Sequence, residues 1–251
     1  MNTDKLFPMY YDAKHKKYRE DLPFWLGLAA IQGSPILELG CGSGRVILHL
    51  AQANHRVVGI DNDAGMLALL QPRISPEVQA WVSLLLADAS RIPLAERFSL
   101  IVMPCNTLST LSRAEQAEAL REVRSHLARF GVFAVSLPNP ELLQRMPRLA
   151  EPEVEGTFPH PLTGDPVQVS GGWKKAPDYV IVTWHYDHLL PDGGVKRLTW
   201  QVRHRLDSLK DYLEAFNVAG LQVSHLFGGF DRSAYTPDSE HLVILARPAS
   251  F

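Results

Sequence analysis

Four residues of this chain combine type and spacing in a way that suits ligand chemistry. Gly40, Gly42 and Gly44 fall on alternate positions directly after the apolar run Ile36-Leu-Glu-Leu39. Asp61 closes a second apolar run, Arg56-Val-Val-Gly-Ile-Asp61, about 20 residues further on. Glycines let a backbone approach a ligand more closely than a Cβ permits. A carboxylate at the tip of the neighbouring strand is placed to accept from both hydroxyls of a ribose. The pattern points to a nucleoside-containing cofactor.

The turn departs from the dinucleotide fingerprint G-x-G-x-x-G: counted from Gly40, the third glycine comes one place early, and Arg45 follows it. A nicotinamide site would also need a pyrophosphate at the helix N-terminus, so an NAD-dependent oxidoreductase is the alternative rather than the leading reading. Glu38 to Gly44, E-x-G-x-G-x-G, resembles motif I of the class I S-adenosylmethionine (SAM) dependent methyltransferases. Three further segments resemble later motifs of that family in order: residues 57–67 an acidic ribose loop, residues 84–94 a third strand, and residues 98–111 a fourth strand with its active-site loop. The resemblance covers residues 36–137. It implies backbone contact to the methionine part at Gly40 and Gly42, within a turn shared by Glu38, Cys41 and Gly44. It also implies Asp61 on the ribose, Asn62 and Met66 along the adenine, Asp88 and the backbone of Ala89 at the adenine edge, and Met103 and Pro104 beneath the sulfonium. Beside these roles stand plainer ones: Asp61 as a strand-end turn carboxylate, Asp88 as a loop acid, and Met66 as a core residue.

The stretch Met9-Tyr-Tyr-Asp-Ala-Lys-His-Lys-Lys-Tyr-Arg19 resembles the lid helix of N-methyltransferases that act on sugars and small amines. That resemblance implies Tyr11 and Tyr18 over the sulfonium, where an aromatic face favours a cation; the alternative is an amphipathic helix anchored by Tyr10, Tyr11 and Tyr18. On the acceptor side, His160, His185, Asp187 and His188 are the candidates for a base. Strand alternation puts His185 with Asp187 on one face and Tyr186 with His188 on the other, a split that argues against a metal site. Methyl transfer from a sulfonium is an in-line displacement, so the protein contributes mainly positioning and electrostatics. The reading is a SAM-dependent methyltransferase with a small-molecule acceptor, nitrogen slightly favoured over oxygen and S-adenosylhomocysteine (SAH) as product; a non-catalytic SAM-binding protein is a further alternative. Pro104-Cys105 and Gln201-Val-Arg-His-Arg205 mimic motifs of cytosine-C5 methyltransferases, but the Glu-Asn-Val element between them is missing.

The elements that must position these residues follow from the rest of the chain. At 251 residues, 46% hydrophobic and 21% charged, it can bury one sizeable core or a core with a small accessory domain. A net charge of −2 argues against nucleic acid as a partner. Two cysteines in ligand loops suit a reducing cytoplasm, and the first residues lack the layout of a signal peptide. No apolar run reaches membrane-spanning length, and a monomer or homodimer is expected. Strands and helices alternate from Ile36 to Leu137, which predicts a parallel sheet covered on both faces. Ser112-Arg-Ala-Glu115 predicts a capped helix over 114–127, with Gly131 as its left-handed end. Residues 167–173, 179–189 and 196–206 read as antiparallel strands, the last two joined at Pro191-Asp-Gly-Gly194. The expected fold is α/β, Rossmann-like: a seven-stranded, mainly parallel sheet with helices on both faces and a small antiparallel β cap. Residues 1–137 would be lid and SAM-binding core, 138–206 an inserted cap over the substrate pocket, and 207–251 the completion of the core.

Overall fold

The computed structural model describes residues 3–249. These residues form a seven-stranded sheet and a separate four-stranded sheet. In the larger sheet β1 (Ile36–Leu39), β2 (Val57–Asp61), β3 (Val82–Leu86), β4 (Phe98–Met103) and β5 (Leu127–Pro138) are parallel. β10 (Leu221–Phe227) and β11 (His241–Pro248) finish it, with β11 antiparallel to both β5 and β10. The strand order is β10-β11-β5-β4-β1-β2-β3, so the order reverses at β1 and β4, where ligands of open α/β sheets bind at the carboxyl ends. The sequence expectation of seven strands, one of them antiparallel to its neighbours, is borne out.

Period-two alternation sorts the strand residues onto two buried faces. Leu37, Leu39, Ile101, Met103, Phe133 and Val135 pack with Leu120 and Val123 of α6 (Arg113–His126) and with Tyr212 and Phe216 of α8 (Leu209–Val218). Ile36, Leu100, Val102 and Ala134 pack on the other face with Phe24, Trp25 and Leu28 of α2 (Leu22–Gln32), Ile47 and Leu50 of α3 (Ile47–Gln52) and Leu70 of α4 (Ala64–Leu70). The predicted capping box of Ser112 with Glu115 is made, and Ser208 makes a second with Asp211. One expectation fails. α6 ends at His126, and Gly131 lies inside β5, where an added Cβ would stand 2.8 Å from the Phe98 carbonyl oxygen. The glycine serves close strand packing rather than a helix cap.

The chain divides into two compact units: a core unit of residues 19–144 and 207–249, and a strand unit of residues 3–18 and 145–206. The first boundary therefore falls after 144 rather than 137, and residues 3–18 group with the strands. The strand unit holds α1 (Thr3–His15) and the antiparallel strands β6 (Leu149–Pro159), β7 (Pro166–Lys175), β8 (Tyr179–Leu189) and β9 (Val195–Arg205), in that order. β6 was not legible in the sequence. It carries two prolines, is exposed along its length, and shifts register twice against β7, as edge strands do. α1 lays Phe7 on Trp200 at 3.6 Å between rings, Tyr10 on Tyr186 at 5.6 Å, and Lys14 over Trp184 at 4.6 Å. No helix among the described residues is long and apolar enough to cross a membrane.

Candidate functional site

The carboxyl ends of β1 and β2 are tied together by backbone bonds. Gly40 and Cys41 donate their N–H groups to the Ile60 carbonyl at 2.8 and 3.0 Å. Gly40, Gly42 and Gly44 all hold positive φ, at 73°, 53° and 97°. A Cβ on Gly40 would stand 2.8 Å from Thr107 Oγ1, and one on Gly44 would stand 2.2 Å from Leu70 Cδ1. All three glycines are thus needed for the path of the turn, and Gly40 and Gly44 also for what packs on it.

Asp61 faces this turn. Its carboxylate accepts the Gly42 N–H at 2.7 Å and the Asp63 N–H at 2.9 Å. Burial raises the Asp61 carboxyl above the ordinary range, and those two backbone donors oppose the shift. Asp63 caps α4 by accepting from Gly65 and Met66. Met66 is buried, whereas Asn62 is exposed and hydrogen-bonds Asp88. Asp88 also accepts from the Ser90 hydroxyl at 2.6 Å and the Ser90 N–H at 2.7 Å, which hold its carboxyl below the usual value. Ala89 packs partly buried against the core. Met103 is fully buried within the core cluster and Pro104 is buried after it, so the Met103 side chain belongs to the packing.

Glu38 is the least ordinary group of the core unit. Alternation places it on the apolar face shared with α2 and α3, it is 2% exposed, and its Oε2 has no hydrogen-bond partner. Burial pushes its carboxyl well up, against the pull of Arg45. An orphaned buried carboxylate oxygen beside a glycine turn is what a cationic ligand group would satisfy. The turn, Glu38 and Asp61 together fit a cofactor with an ammonium group and a ribose. Cys41 is buried, its thiol pushed up by burial, and both cysteines are free. Spacing gave no sign of Asp21, Arg45 and Thr107: Asp21 and Arg45 are 24 residues apart and meet through side chains alone.

The remaining candidates lie in the strand unit. Tyr11 sits against Phe7 and His15, with rings 5.7 and 4.2 Å apart. Tyr18 lies past α1, its N–H on the His15 carbonyl. Tyr10 is the buried anchor, packed on Phe158, His160 and Tyr186. His185 bonds the Thr199 hydroxyl at 2.8 Å, and Asp187 holds Arg197 bidentately at 2.7 Å. His188 bonds Asp165 at 3.1 Å and stacks on His160 at 4.1 Å, while burial lowers the His160 pKa. The predicted split of faces holds, and both strand histidines have local partners.

Residues 36–131 match the methyltransferase domain family. The chain is 26% identical over 221 residues to the cypemycin N-terminal methyltransferase of a Streptomyces species, covering 86% of this chain and 84% of that protein. It is 25% identical over 243 residues to the dTDP-3-amino-3,6-dideoxy-alpha-D-glucopyranose N,N-dimethyltransferase of Streptomyces fradiae, covering 90% and 86%. The solved CcbJ methyltransferase of Streptomyces caelestis superposes with a TM-score of 0.75 at 26% identity, covering 91% and 95%. Residues 36–131 are a methyltransferase domain, and the chain is a SAM-dependent methyltransferase with SAM as its cofactor. The NAD-dependent reading is set aside.

Proposed function

We propose that the protein transfers the SAM methyl group to a primary amine carried on a small molecule. The carrying observation is the match, over most of both lengths, to two enzymes named for methylation at nitrogen. SAM supplies an already activated methyl group. Within the core unit, Asp61 holds the ribose hydroxyls, Glu38 pairs with the ammonium of the methionine part, and Gly40 and Gly42 admit its backbone. Asn62, Met66, Asp88 and the backbone of Ala89 line the adenine. Pro104, with the main chain of Met103, lies under the sulfonium.

A neutral amine carries its own lone pair, so the acceptor needs positioning and a route for its proton rather than a strong base. That suits His185 and His188, which are held by Thr199 and Asp165. We assign acceptor recognition to the strand unit, where Tyr11 and Tyr18 are the candidates for contact with a cationic group. Free cysteines suit a cytoplasmic protein, and a net charge of −2 suits one without nucleic-acid partners.

Incubation with SAM and a panel of amino sugars, short peptides and matched hydroxyl analogues, read by mass spectrometry, tests the assignment. Methyl addition to amine-bearing members, with equimolar SAH, is the expected result. Methylation confined to hydroxyl analogues would overturn it.

A further inference from the structure

Arg45 follows the last glycine of the turn, and its guanidinium joins three elements. Two of its nitrogens grip the Asp21 carboxylate, one at 2.7 Å, and Nη2 also donates to Cys105 Sγ at 2.9 Å. Asp21 precedes α2, is 1% exposed, and accepts a further bond of 2.8 Å from Trp25 Nε1, itself fully buried. Such a fork, gripped by an anchored carboxylate, has little freedom. At the other end of the side chain the preceding residue, Gly44, holds a φ of 97°, and a Cβ there would run into Leu70.

The loop that receives the third bond is unusual. Cys105 and Asn106 are consecutive non-glycine residues with φ of 59° and 64°. Strain of this kind costs of order 1–3 kcal/mol per residue and persists only where surrounding contacts impose it. Two contacts do so here: Arg45 on Cys105, and Thr107, whose side chain occupies the space left open at Gly40. Both come from the glycine turn.

We propose that Arg45, held by Asp21, is a positioning residue that couples cofactor occupancy of the glycine turn to the arrangement of loop 104–107, at the carboxyl end of β4. The proposal rests on the assignment of the glycine turn to SAM. A ligand seated on Gly40 and Gly42 fixes the Arg45 backbone, and the guanidinium passes that constraint to Cys105. Bound cofactor thus biases the loop further toward the arrangement that these contacts hold.

Iodoacetamide labelling of Cys105, followed by mass spectrometry with buried Cys41 as internal reference, reads the loop directly. In the wild-type protein, saturating SAH should change the Cys105 labelling rate by about fivefold or more, the lower end of typical site-to-site coupling. In Arg45→Gln and Asp21→Asn, with SAH saturation confirmed by calorimetry, the ratio of rates should fall to within about twofold of unity. Arg45→Lys, which keeps the charge but loses the fork, serves if the others fail to fold, and should also lose most of the ratio. A merely structural Arg45 would lower thermal stability and leave the ratio intact, overturning the proposal. So would a wild-type rate that ignores bound SAH. Failure of SAH to bind the wild type would instead overturn the cofactor site.

Discussion

Glu38 and Tyr186 are both buried and each has a side-chain oxygen with no partner, one in the core unit and one in the strand unit. Glu38 stands beside a turn of three positive-φ glycines, among groups whose positions backbone bonds fix, and its own Oε2 is left over. Tyr186 stands among the rings of Tyr10 and Phe158, and neighbouring polar side chains are paired: His188 with Asp165, Asp187 with Arg197, His185 with Thr199. An orphan in a backbone-built cradle points to a ligand, whereas an orphan in a packed aromatic cluster points to a phenol whose ring matters more than its hydroxyl. The cradle of the core unit is built by main-chain bonds, whereas the strand unit is a side-chain assembly.

That contrast can be broken in each unit. Gly44→Ala should have the largest effect, because it adds a left-handed strain of about 1–2 kcal/mol to overpacking of about 1–3 kcal/mol. A urea midpoint almost unchanged would show that the turn relaxes freely. His188→Ala removes the hydrogen bond to Asp165 and the stack on His160, and should cost about 1–2 kcal/mol while leaving SAH affinity within about twofold. A large loss of SAH affinity would make this histidine part of the cofactor site. Glu38→Gln sharpens the core side. Burial raises the Glu38 carboxyl, so its stabilisation of the free protein is complete below the ordinary carboxylate pKa and is lost as pH rises through the elevated value. The melting temperature of the variant should therefore gain on the wild type with rising pH, and a constant gap would contradict the assigned burial. Tyr186→Phe should be the mildest, within about 0.5 kcal/mol, because the lost hydroxyl has no protein partner. A marked loss of stability would reveal a bound water or ligand there.

The same contrast explains what could be read from the sequence. Glycine spacing, a strand-end acid and the S-x-x-E box encode backbone geometry locally, so the turn, Asp61 and α6 were legible. The Asp21–Arg45–Cys105 chain was not, since it joins three segments through side-chain reach and only the fold brings them together. The edge strand β6 escaped because Pro152, Gly156 and a row of glutamates read as loop, and its pairing comes from β7. Gly131 misled because a glycine after a helix suits a cap as well as a tightly packed strand. Asp165 escaped as the partner of His188 because it lies in a Pro- and Gly-rich turn with no period of its own.

The most direct test of the cofactor site is calorimetric titration of the wild-type protein and Asp61→Ala with SAM, SAH and NAD. The account predicts micromolar binding of SAM and SAH and none of NAD by the wild type. It predicts a variant that still unfolds cooperatively but binds SAH at least about 30-fold more weakly, as expected for losing hydrogen bonds to a charged acceptor. A folded Asp61→Ala variant with wild-type SAH affinity, or NAD binding by the wild type, would contradict it.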